Sequence, residues 1–236
     1  MIIILILILI IILVIYIILL NKFEMFKNNW NNKIDGIVYI NLENREDRKK
    51  LILEELNKIE VDMNKVNKVS GIRIPKNGHK GCVQSHILSL EMAKMNKWKQ
   101  VLIFEDDMEL NVSPDEFNDK IDMALEYFTT NNINWDIILL ATNNLNSIYI
   151  NDYISKVVSS NTSSGYIINS HYYDTLLTLF NDCNINMDKE KWGLDNHEPY
   201  ALDQKWTDLQ AKDNWYCFKT DLIKQRDIYS STLNKN

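Results

Sequence analysis

Three adjacent carboxylates, Glu105, Asp106 and Asp107, offer the clearest chemistry in the sequence. They directly follow the apolar run 101–104, and ligands of open α/β sheets gather outside the carboxyl ends of strands. Neighbouring carboxylates repel one another unless a cation or a group of N–H donors compensates their charge. Oxygen ligands suit Mg²⁺ or Mn²⁺, which also bind phosphate oxygens. The triplet therefore indicates a divalent cation site, and a solvated loop is the alternative.

Two arginines, Arg45 and Arg48, lie just past the first predicted strand. A guanidinium offers a fork of donors to phosphate, and a strand end would bring both arginines to the same crevice as the carboxylates. Glu43, Glu46 and Asp47 surround them. An exposed helix start with local ion pairs is therefore an equal alternative.

One histidine and three cysteines complete the chemical groups of interest. His86 lies at the border of an apolar stripe, where a lone histidine is more often structural than catalytic. Cys82, Cys183 and Cys217 are too few and too scattered for a disulfide framework or a zinc site. We expect them to be buried thiols.

The charge distribution limits the classes of partner. The chain has 236 residues and a net charge of −6, which fits one domain with a sizeable core. The first 34 residues sum to +2, so residues 35–236 carry −8. A domain this acidic lacks the clustered Lys and Arg that bind polyphosphate backbones. We therefore expect no nucleic-acid partner, whereas a small basic pocket for one nucleotide remains compatible.

Apolar runs and helical periodicities indicate the elements that position these groups. Short apolar runs predict strands at 36–42, 101–104, 135–141 and 165–168. Helices are predicted after the first strand with Leu51, Ile52, Leu56 and Ile59 on one face, from near Gly81, from a Ser113 cap, and from a Ser170 cap. Strands that alternate with helices predict one α/β domain with mostly parallel neighbours.

The N-terminal run from Ile2 to Leu20 consists of 19 Ile, Leu, Val and Tyr residues. As a helix it would span about 28 Å, close to the hydrocarbon thickness of a bilayer. We therefore predict a transmembrane anchor over residues 1–20, a polar stem over 21–34 and the main domain over 35–236; a buried strand is the alternative. The lysines after the run favour a cytosolic main domain.

Five motifs in order resemble glycosyltransferase family 25, which includes lipopolysaccharide-modifying and procollagen galactosyltransferases. They are Asn41-Leu42 with Arg45 and Asp47-Arg48, Gly81-Cys82-Val83-Gln84-Ser85-His86, the strand ending in Glu105-Asp106-Asp107, Thr162 to Ile168, and Ala201-Leu202-Asp203 with Gln225-Arg226-Asp227-Ile228. The resemblance covers residues 35–231. His79 departs from it, because the family often has an acidic residue there.

The resemblance implies a GT-A-type fold, a Rossmann-like mixed sheet flanked by helices, with a nucleotide-sugar donor that is UDP-linked and a divalent cation such as Mn²⁺. It implies that the metal binds at Asp106 and Asp107. It implies that the donor is bound by Asn41, Arg45, Arg48, Ser85, His86, Glu105 and Gln225. Anchored family members commonly face a secretory lumen, in conflict with the lysine count.

The mechanism expected by analogy is transfer of a hexose to a hydroxyl of a glycan or glycoprotein acceptor, with inversion. Asp203 is the candidate base that deprotonates this hydroxyl, and Asp195 is the reserve; an N-cap is the alternative role for Asp203. A catalytically silent, membrane-tethered binding module is the rival function. A metal-dependent phosphohydrolase is less compatible, since it would need further His or Asp ligands.

Overall fold

The computed structural model describes residues 9–17, 29–187 and 199–227. After the helical residues 9–17, the helices are α1 (Asn29–Lys33), α2 (Glu46–Lys58), α3 (Gly78–Met95), α4 (Pro114–Thr130), α5 (Tyr173–Asn186), α6 (Leu202–Lys205) and α7 (Thr207–Gln210). The strands are β1 (Gly36–Asn41), β2 (Val66–Ser70), β3 (Gln100–Glu105), β4 (Met108–Leu110), β5 (Ile137–Leu139), β6 (Asn143–Tyr149), β7 (Ile154–Asn161), β8 (Gly165–Asn169), β9 (Trp215–Phe218) and β10 (Ile223–Gln225).

Eight strands form one mixed sheet in the order β2-β1-β3-β8-β5-β9-β7-β6. β1 runs parallel to β2 and β3, and β5 runs parallel to β9. β8 is antiparallel to both β3 and β5, and β7 is antiparallel to β6 and β9. The mixed α/β sheet fits a GT-A-like fold. The expectation of mostly parallel neighbours is wrong, because a short apolar run is buried equally well in either strand direction.

The sheet separates two apolar layers, as the alternation along its strands requires. Ile37 and Tyr39 of β1 face one layer, which also holds the buried residues of α2 and α4. Val38 faces the other layer, together with the buried residues of α3 and α5. Both faces of the central strands are thereby covered, which explains their continuous apolar sequence.

Two predicted helix starts have different outcomes. The Ser113 hydroxyl accepts the N–H of Glu116 at 3.2 Å, and α4 begins at Pro114, as predicted. Ser170 instead lies in a short 3₁₀ turn, and α5 begins only at Tyr173. The chain around Asp203 forms two single helical turns, α6 and α7.

The predicted transmembrane anchor is contradicted. Within the described parts of the chain, no helix combines the length and the apolar character that crossing a bilayer would need. Residues 2–8 and 18–20 of the predicted span lie outside the described residues. The predictions of membrane binding through Ile2–Leu20 and of a single-pass membrane localisation depend on this anchor and are contradicted with it.

The folded core includes residues from the segment that was predicted as a stem. Trp30 and Ile34 are fully buried, and the Trp30 indole donates to the Asn118 side chain at 2.9 Å. A buried indole N–H needs such an acceptor. Helix α1 therefore packs against α4 as part of the domain.

The sheet order brings the sequence motifs together. β1 and β3 are parallel neighbours, with Ile40 opposite Glu105, so Asn41 and the acidic triplet emerge at the same edge. α2 begins just after β1, which carries Arg45 and Arg48 over that edge. This arrangement creates the crevice described next.

Candidate functional site

A cavity of about 590 Å³ lies at the carboxyl ends of β1 and β3. Of the residues predicted from the sequence, it is lined by Arg45, Arg48, Ser85, His86, Glu105, Asp106, Asp107, Asp203 and Gln225. Asn41 lies behind this wall and contacts Asp106. Asp195 lies outside the described residues. The fold thus gathers residues that are far apart in the chain.

Asp106 is held by two neighbours at the base of the cavity. Its Oδ1 accepts a hydrogen bond from Arg48 Nη1 at 2.7 Å, and its Oδ2 accepts one from Asn41 Nδ2 at 2.7 Å. The Arg48 and Asp106 side chains are only 7% and 9% exposed, so the ion pair is buried. A buried charge pair of this kind is costly to break from either side. It fixes the Arg48 guanidinium at the cavity wall.

Asp107 is the least satisfied carboxylate of the triplet. Its Oδ2 lies 3.4 Å from Arg48 Nη1, and its buried Oδ1 has no hydrogen-bond partner among the described residues. Burial and the charge of Glu105 raise the pKa of Asp107 to about 7, against the lowering effect of Arg48. Arg48 offsets the Asp107 charge only in part, and a cation beside Asp107 would offset the rest. The residues therefore fit a divalent metal ion.

Arg45 combines a cavity position with an exposed partner. It lines the cavity, and its Nη2 lies 2.8 Å from Asp47, whose side chain is mostly exposed. Both alternatives drawn from the sequence are thus present together: the helix start carries a local ion pair, and the arginine also faces the crevice.

Glu105 and His86 form a connected group with Tyr166. His86 Nδ1 lies 2.9 Å from the Tyr166 hydroxyl, and His86 Nε2 lies 3.4 Å from Glu105 Oε1. The Ser163 hydroxyl donates to the same Glu105 oxygen at 2.5 Å. Burial works to raise the pKa of Glu105, but His86 and Ser163 outweigh it and hold that pKa below its usual value. His86 is fully buried, with both ring nitrogens engaged.

Cys82 adds a sulfur to this group. One ligand atom from each of Cys82, His86 and Glu105 lies within 4.8 Å of the other two, so the three side chains could hold a metal ion. Burial, with the charge of Glu105, raises the pKa of the Cys82 thiol well above its usual value. The spacing between cysteines alone does not reveal this cluster, because the other two ligands are a histidine and a glutamate. The Cys82 to His86 spacing of four positions within one helix was the available signal.

Ser85 has a structural role, because its hydroxyl hydrogen-bonds to the backbone. Its hydroxyl donates to the Gly81 carbonyl at 2.7 Å and accepts the N–H of Ile72 at 2.9 Å. The loop after β2 passes so close to α3 that only glycine fits at position 81, because a Cβ atom there would lie 2.2 Å from the Ile72 carbonyl oxygen. Ser85 and Gly81 therefore hold the loop after β2 against α3, at the mouth of the cavity.

Asp203 lines the cavity and contacts the segment before β8. Its Oδ2 accepts the N–H of Thr162 at 3.0 Å, so it does not act as an N-cap of its own helix. Burial raises the pKa of Asp203 above its usual value, more than the Thr162 N–H lowers it. His79 also lines the cavity, and burial lowers its pKa.

Thr162 has an uncommon backbone conformation, with φ of 74°. A β-branched residue rarely adopts positive φ, and such strain persists only where surrounding contacts impose it. Here Asp203 holds the Thr162 N–H, and Thr162 Oγ1 lies 2.7 Å from the Ser164 hydroxyl. The strain lies at the cavity wall, beside the candidate base.

The C-terminal segment closes one side of the site. β10 pairs antiparallel with β4, which carries Gln225 to the cavity, and the Arg226 N–H donates to the Asp107 carbonyl at 2.7 Å. The Arg226 side chain pairs with Glu55 at 2.9 Å and with Glu109 at 3.2 Å. Arg226 appeared in the sequence analysis only within a motif, since its partners are 171 and 117 positions away.

Comparisons with known proteins identify the family. The model described as Glycosyltransferase family 25 (LPS biosynthesis protein) matches residues 76–190, which include α3 and the acidic triplet. None of the curated proteins compared with the chain matches it significantly.

Solved structures give distant likenesses. A197 from STIV shares 10% identity, with a TM-score of 0.45 over 83% of this chain and 86% of its own. A mannose-1-phosphate geranyltransferase from Thermus thermophilus shares 8%, with a TM-score of 0.42 over 78% and 72%. A glycosyltransferase involved in the glycosylation of the major capsid of PBCV-1 shares 12%, with a TM-score of 0.37 over 78% and 92%.

The family match agrees with the resemblance drawn from the motifs at Gly81–His86 and Glu105–Asp107, both of which it contains. On that match, the region 76–190 belongs to glycosyltransferase family 25, and the protein is a glycosyltransferase.

Proposed function

We propose that the protein transfers a hexose, galactose or glucose, from a UDP-linked donor to a hydroxyl group of a glycan or glycoprotein acceptor. Lipopolysaccharide-like and hydroxylysine-bearing, collagen-like acceptors are the classes that the family suggests. One observation carries the proposal. Asp107, whose Oδ1 has no partner among the described residues, shares a cavity with Arg45 and Arg48. Arginines beside a carboxylate with an unbonded oxygen suit a diphosphate that arrives with a metal ion.

The arginines would bind the diphosphate of the donor. Arg48 is fixed by Asp106, and Asp106 in turn by Asn41, before a donor arrives, so little reorganisation is needed on binding. Hydrogen-bond donors that are preorganised in this way stabilise the charge that develops on a leaving group. Arg45 lines the same cavity about one helical turn away.

The carboxylates that fit the metal ion are those with oxygens available to the cavity. Both oxygens of Asp106 are already bonded to Arg48 and Asn41, so in our proposal Asp106 positions Arg48. Asp107 is the proposed ligand, with Glu105 beside it. A bound Mn²⁺ or Mg²⁺ would supply positive charge at the leaving diphosphate.

Asp203 is the proposed catalytic base. Its raised pKa, caused chiefly by burial, makes Asp203 a stronger base than an ordinary carboxylate. The acceptor oxygen forms a bond to the anomeric carbon while the bond from that carbon to the diphosphate oxygen breaks. The hydroxyl proton passes to Asp203, and the electron pair of the broken bond leaves with UDP. Attack opposite the leaving group inverts the anomeric centre.

A donor panel tests this function. Purified protein is incubated with UDP-, GDP- and CMP-sugars, each with Mn²⁺ or with a chelator, and the released nucleotide is measured. We expect release of UDP from a UDP-hexose, with Mn²⁺ required. Release from GDP- or CMP-sugars alone would contradict the proposed donor, and no release or thermal stabilisation with any of them would indicate a catalytically silent module.

The base assignment has its own test. Asp203→Asn is expected to lower kcat about 10²- to 10⁴-fold while donor affinity stays unchanged, since the carboxylate acts on the acceptor. A matched change at an exposed carboxylate of the next turn, Asp208→Asn, should leave kcat unchanged. Equal kcat values for Asp203→Asn and the unmodified protein would remove Asp203 as the base.

A further inference from the structure

We propose that Cys82, His86 and Glu105 form a binding site for a soft divalent transition-metal ion of the Zn²⁺ class. The site shares the cavity with Asp107 but differs from it in its ligand chemistry. Binding at this site does not depend on sugar transfer, so the proposal can be tested without any donor.

The three ligands converge from two elements. Cys82 and His86 lie four positions apart on α3, so they share one helix face. Glu105 ends β3, the strand that lies next to β1 in the sheet. Their ligand atoms all lie within 4.8 Å of one another, whereas ligands of a tetrahedral Zn²⁺ lie about 3.5 Å apart. A closure of about 1 Å, within reach of side-chain rotation, would complete the contact.

The donor set selects the metal. Thiolate sulfur and imidazole nitrogen with one carboxylate are ligands of Zn²⁺, whereas Mg²⁺ and Mn²⁺ prefer oxygen alone. Three protein ligands leave a fourth position for water or another ligand, and all three residues line the cavity. The oxygen-rich Asp107 region and this mixed cluster therefore suit different ions.

The surroundings already orient the histidine. The Tyr166 hydroxyl lies 2.9 Å from His86 Nδ1, which directs Nε2 toward Glu105. A partner on the second ring nitrogen is the usual support of a metal-bound histidine.

The test is a titration of the full, untagged chain with Zn²⁺ alone, followed by calorimetry, and a parallel titration with Co²⁺ followed by absorption. We expect one Zn²⁺ per chain and a near-ultraviolet band from charge transfer between the Cys82 thiolate and Co²⁺. Cys82→Ser should weaken Zn²⁺ binding at least tenfold and abolish the band.

Two matched variants make the result specific. Cys217→Ala changes a buried cysteine of β9 and should retain binding and the Co²⁺ band. Asp107→Asn should retain the band while losing the response to Mn²⁺. The proposal is overturned if the unmodified chain binds no Zn²⁺, if Co²⁺ gives no thiolate band, or if folded Cys82→Ser binds Zn²⁺ as tightly as the unmodified chain. If Cys82→Ser fails to fold, the Co²⁺ spectrum of the unmodified chain still tests the proposed metal site. The absence of UDP release in the donor panel would contradict the proposed transferase function but not this metal site.

Discussion

Carboxylates at the two ends of the central sheet differ in how fully their oxygens are hydrogen-bonded. At the amino-terminal ends of β1 and β5, Asp35 Oδ2 accepts the N–H groups of Lys99 and Gln100 at 2.7 and 3.0 Å. Asp136 accepts the Asn214 N–H at 2.8 Å and lies 2.7 Å from His171. At the carboxyl ends, Asp107 keeps a buried oxygen without a partner among the described residues, and its pKa is raised to about 7.

The comparison distinguishes carboxylates with a structural role, Asp35 and Asp136, from a carboxylate that is suited to bind a ligand, Asp107. Asp35 and Asp136 accept hydrogen bonds from backbone N–H groups of neighbouring segments, and each such bond stabilises the folded state modestly. The cavity carboxylates crowd together at a cost to stability, and perturbed groups of this kind cluster at functional sites. We therefore expect removal of the Asp136 charge to lower stability and leave ligand binding unchanged, and removal of the Asp107 charge to raise stability and weaken ligand binding.

Arg48→Met should have the largest effect. It leaves the Asp106 carboxylate buried without its cation, which costs about 3 to 5 kcal/mol of unfolding free energy. Chemical denaturation measures this loss. The double change Arg48→Met with Asp106→Leu should recover most of it, because an apolar pair replaces the buried charges. A single Arg48→Met variant within about 1 kcal/mol of the unmodified protein would show that the pair is not buried in solution.

Asp136→Ala should have the next largest effect, at the opposite end of the sheet. It removes the acceptor of the Asn214 N–H and the contact with His171, at a cost of about 2 kcal/mol. UDP affinity, measured by calorimetry, should not change. His171→Ala, which removes a half-exposed partner and leaves the Asn214 bond intact, is the milder control. A marked change in UDP affinity for Asp136→Ala would contradict the proposal that carboxylates at the amino-terminal end do not affect ligand binding.

Asp107→Asn should stabilise the metal-free protein by about 1 to 2 kcal/mol at pH 7, which is less than the full pKa shift implies because the buried amide also lacks partners. The folded-state pKa of Asp107 is raised to about 7 from 3.8, so between these values the folded protein binds more protons than the unfolded chain. Stability should therefore fall as pH rises from about 4 to 7, and the substitution should flatten that slope. Thermal unfolding across this pH range measures it. An unchanged slope in Asp107→Asn would show that Asp107 is not the titrating group.

Asp47→Ala should have the smallest effect. The Arg45 guanidinium holds the pKa of the exposed Asp47 at about 2, but an exposed ion pair contributes little to stability. We expect an unfolding midpoint that denaturation curves do not distinguish from that of the unmodified protein. Glu46→Ala, which removes the neighbouring exposed pair with Lys49, is the matched comparison. A loss as large as that of Asp136→Ala would contradict this ranking.

The elements that could be predicted from sequence are those buried on two faces or along one stripe. β1 and β3 appear as continuous apolar runs, and α4 has a Ser113 cap and a buried stripe. The hairpin strand β6, with sequence NNLNSIY, is mostly exposed and carries no alternating pattern. The direction of β8 could not be predicted either, because it depends on where the chain returns to the sheet and not on local sequence.

The candidate site was predictable where one motif carries the chemistry. The acidic triplet and the two arginines meet as the strand ends implied. The division of roles between Asp106 and Asp107 depends on contacts with Asn41 and Arg48 across 65 and 58 positions, which spacing cannot reveal. The Cys82 cluster depends likewise on the meeting of α3 with the end of β3.

The central claim is that Asp107 binds a divalent cation together with a UDP-linked donor. Calorimetric titration of UDP into the unmodified protein and into Asp107→Asn, each with Mn²⁺ and with a chelator, tests it most directly. We predict that Mn²⁺ raises the UDP affinity of the unmodified protein at least tenfold and does not change that of Asp107→Asn. Equal UDP affinity with and without Mn²⁺ in the unmodified protein, or a full Mn²⁺ effect in Asp107→Asn, would contradict the claim.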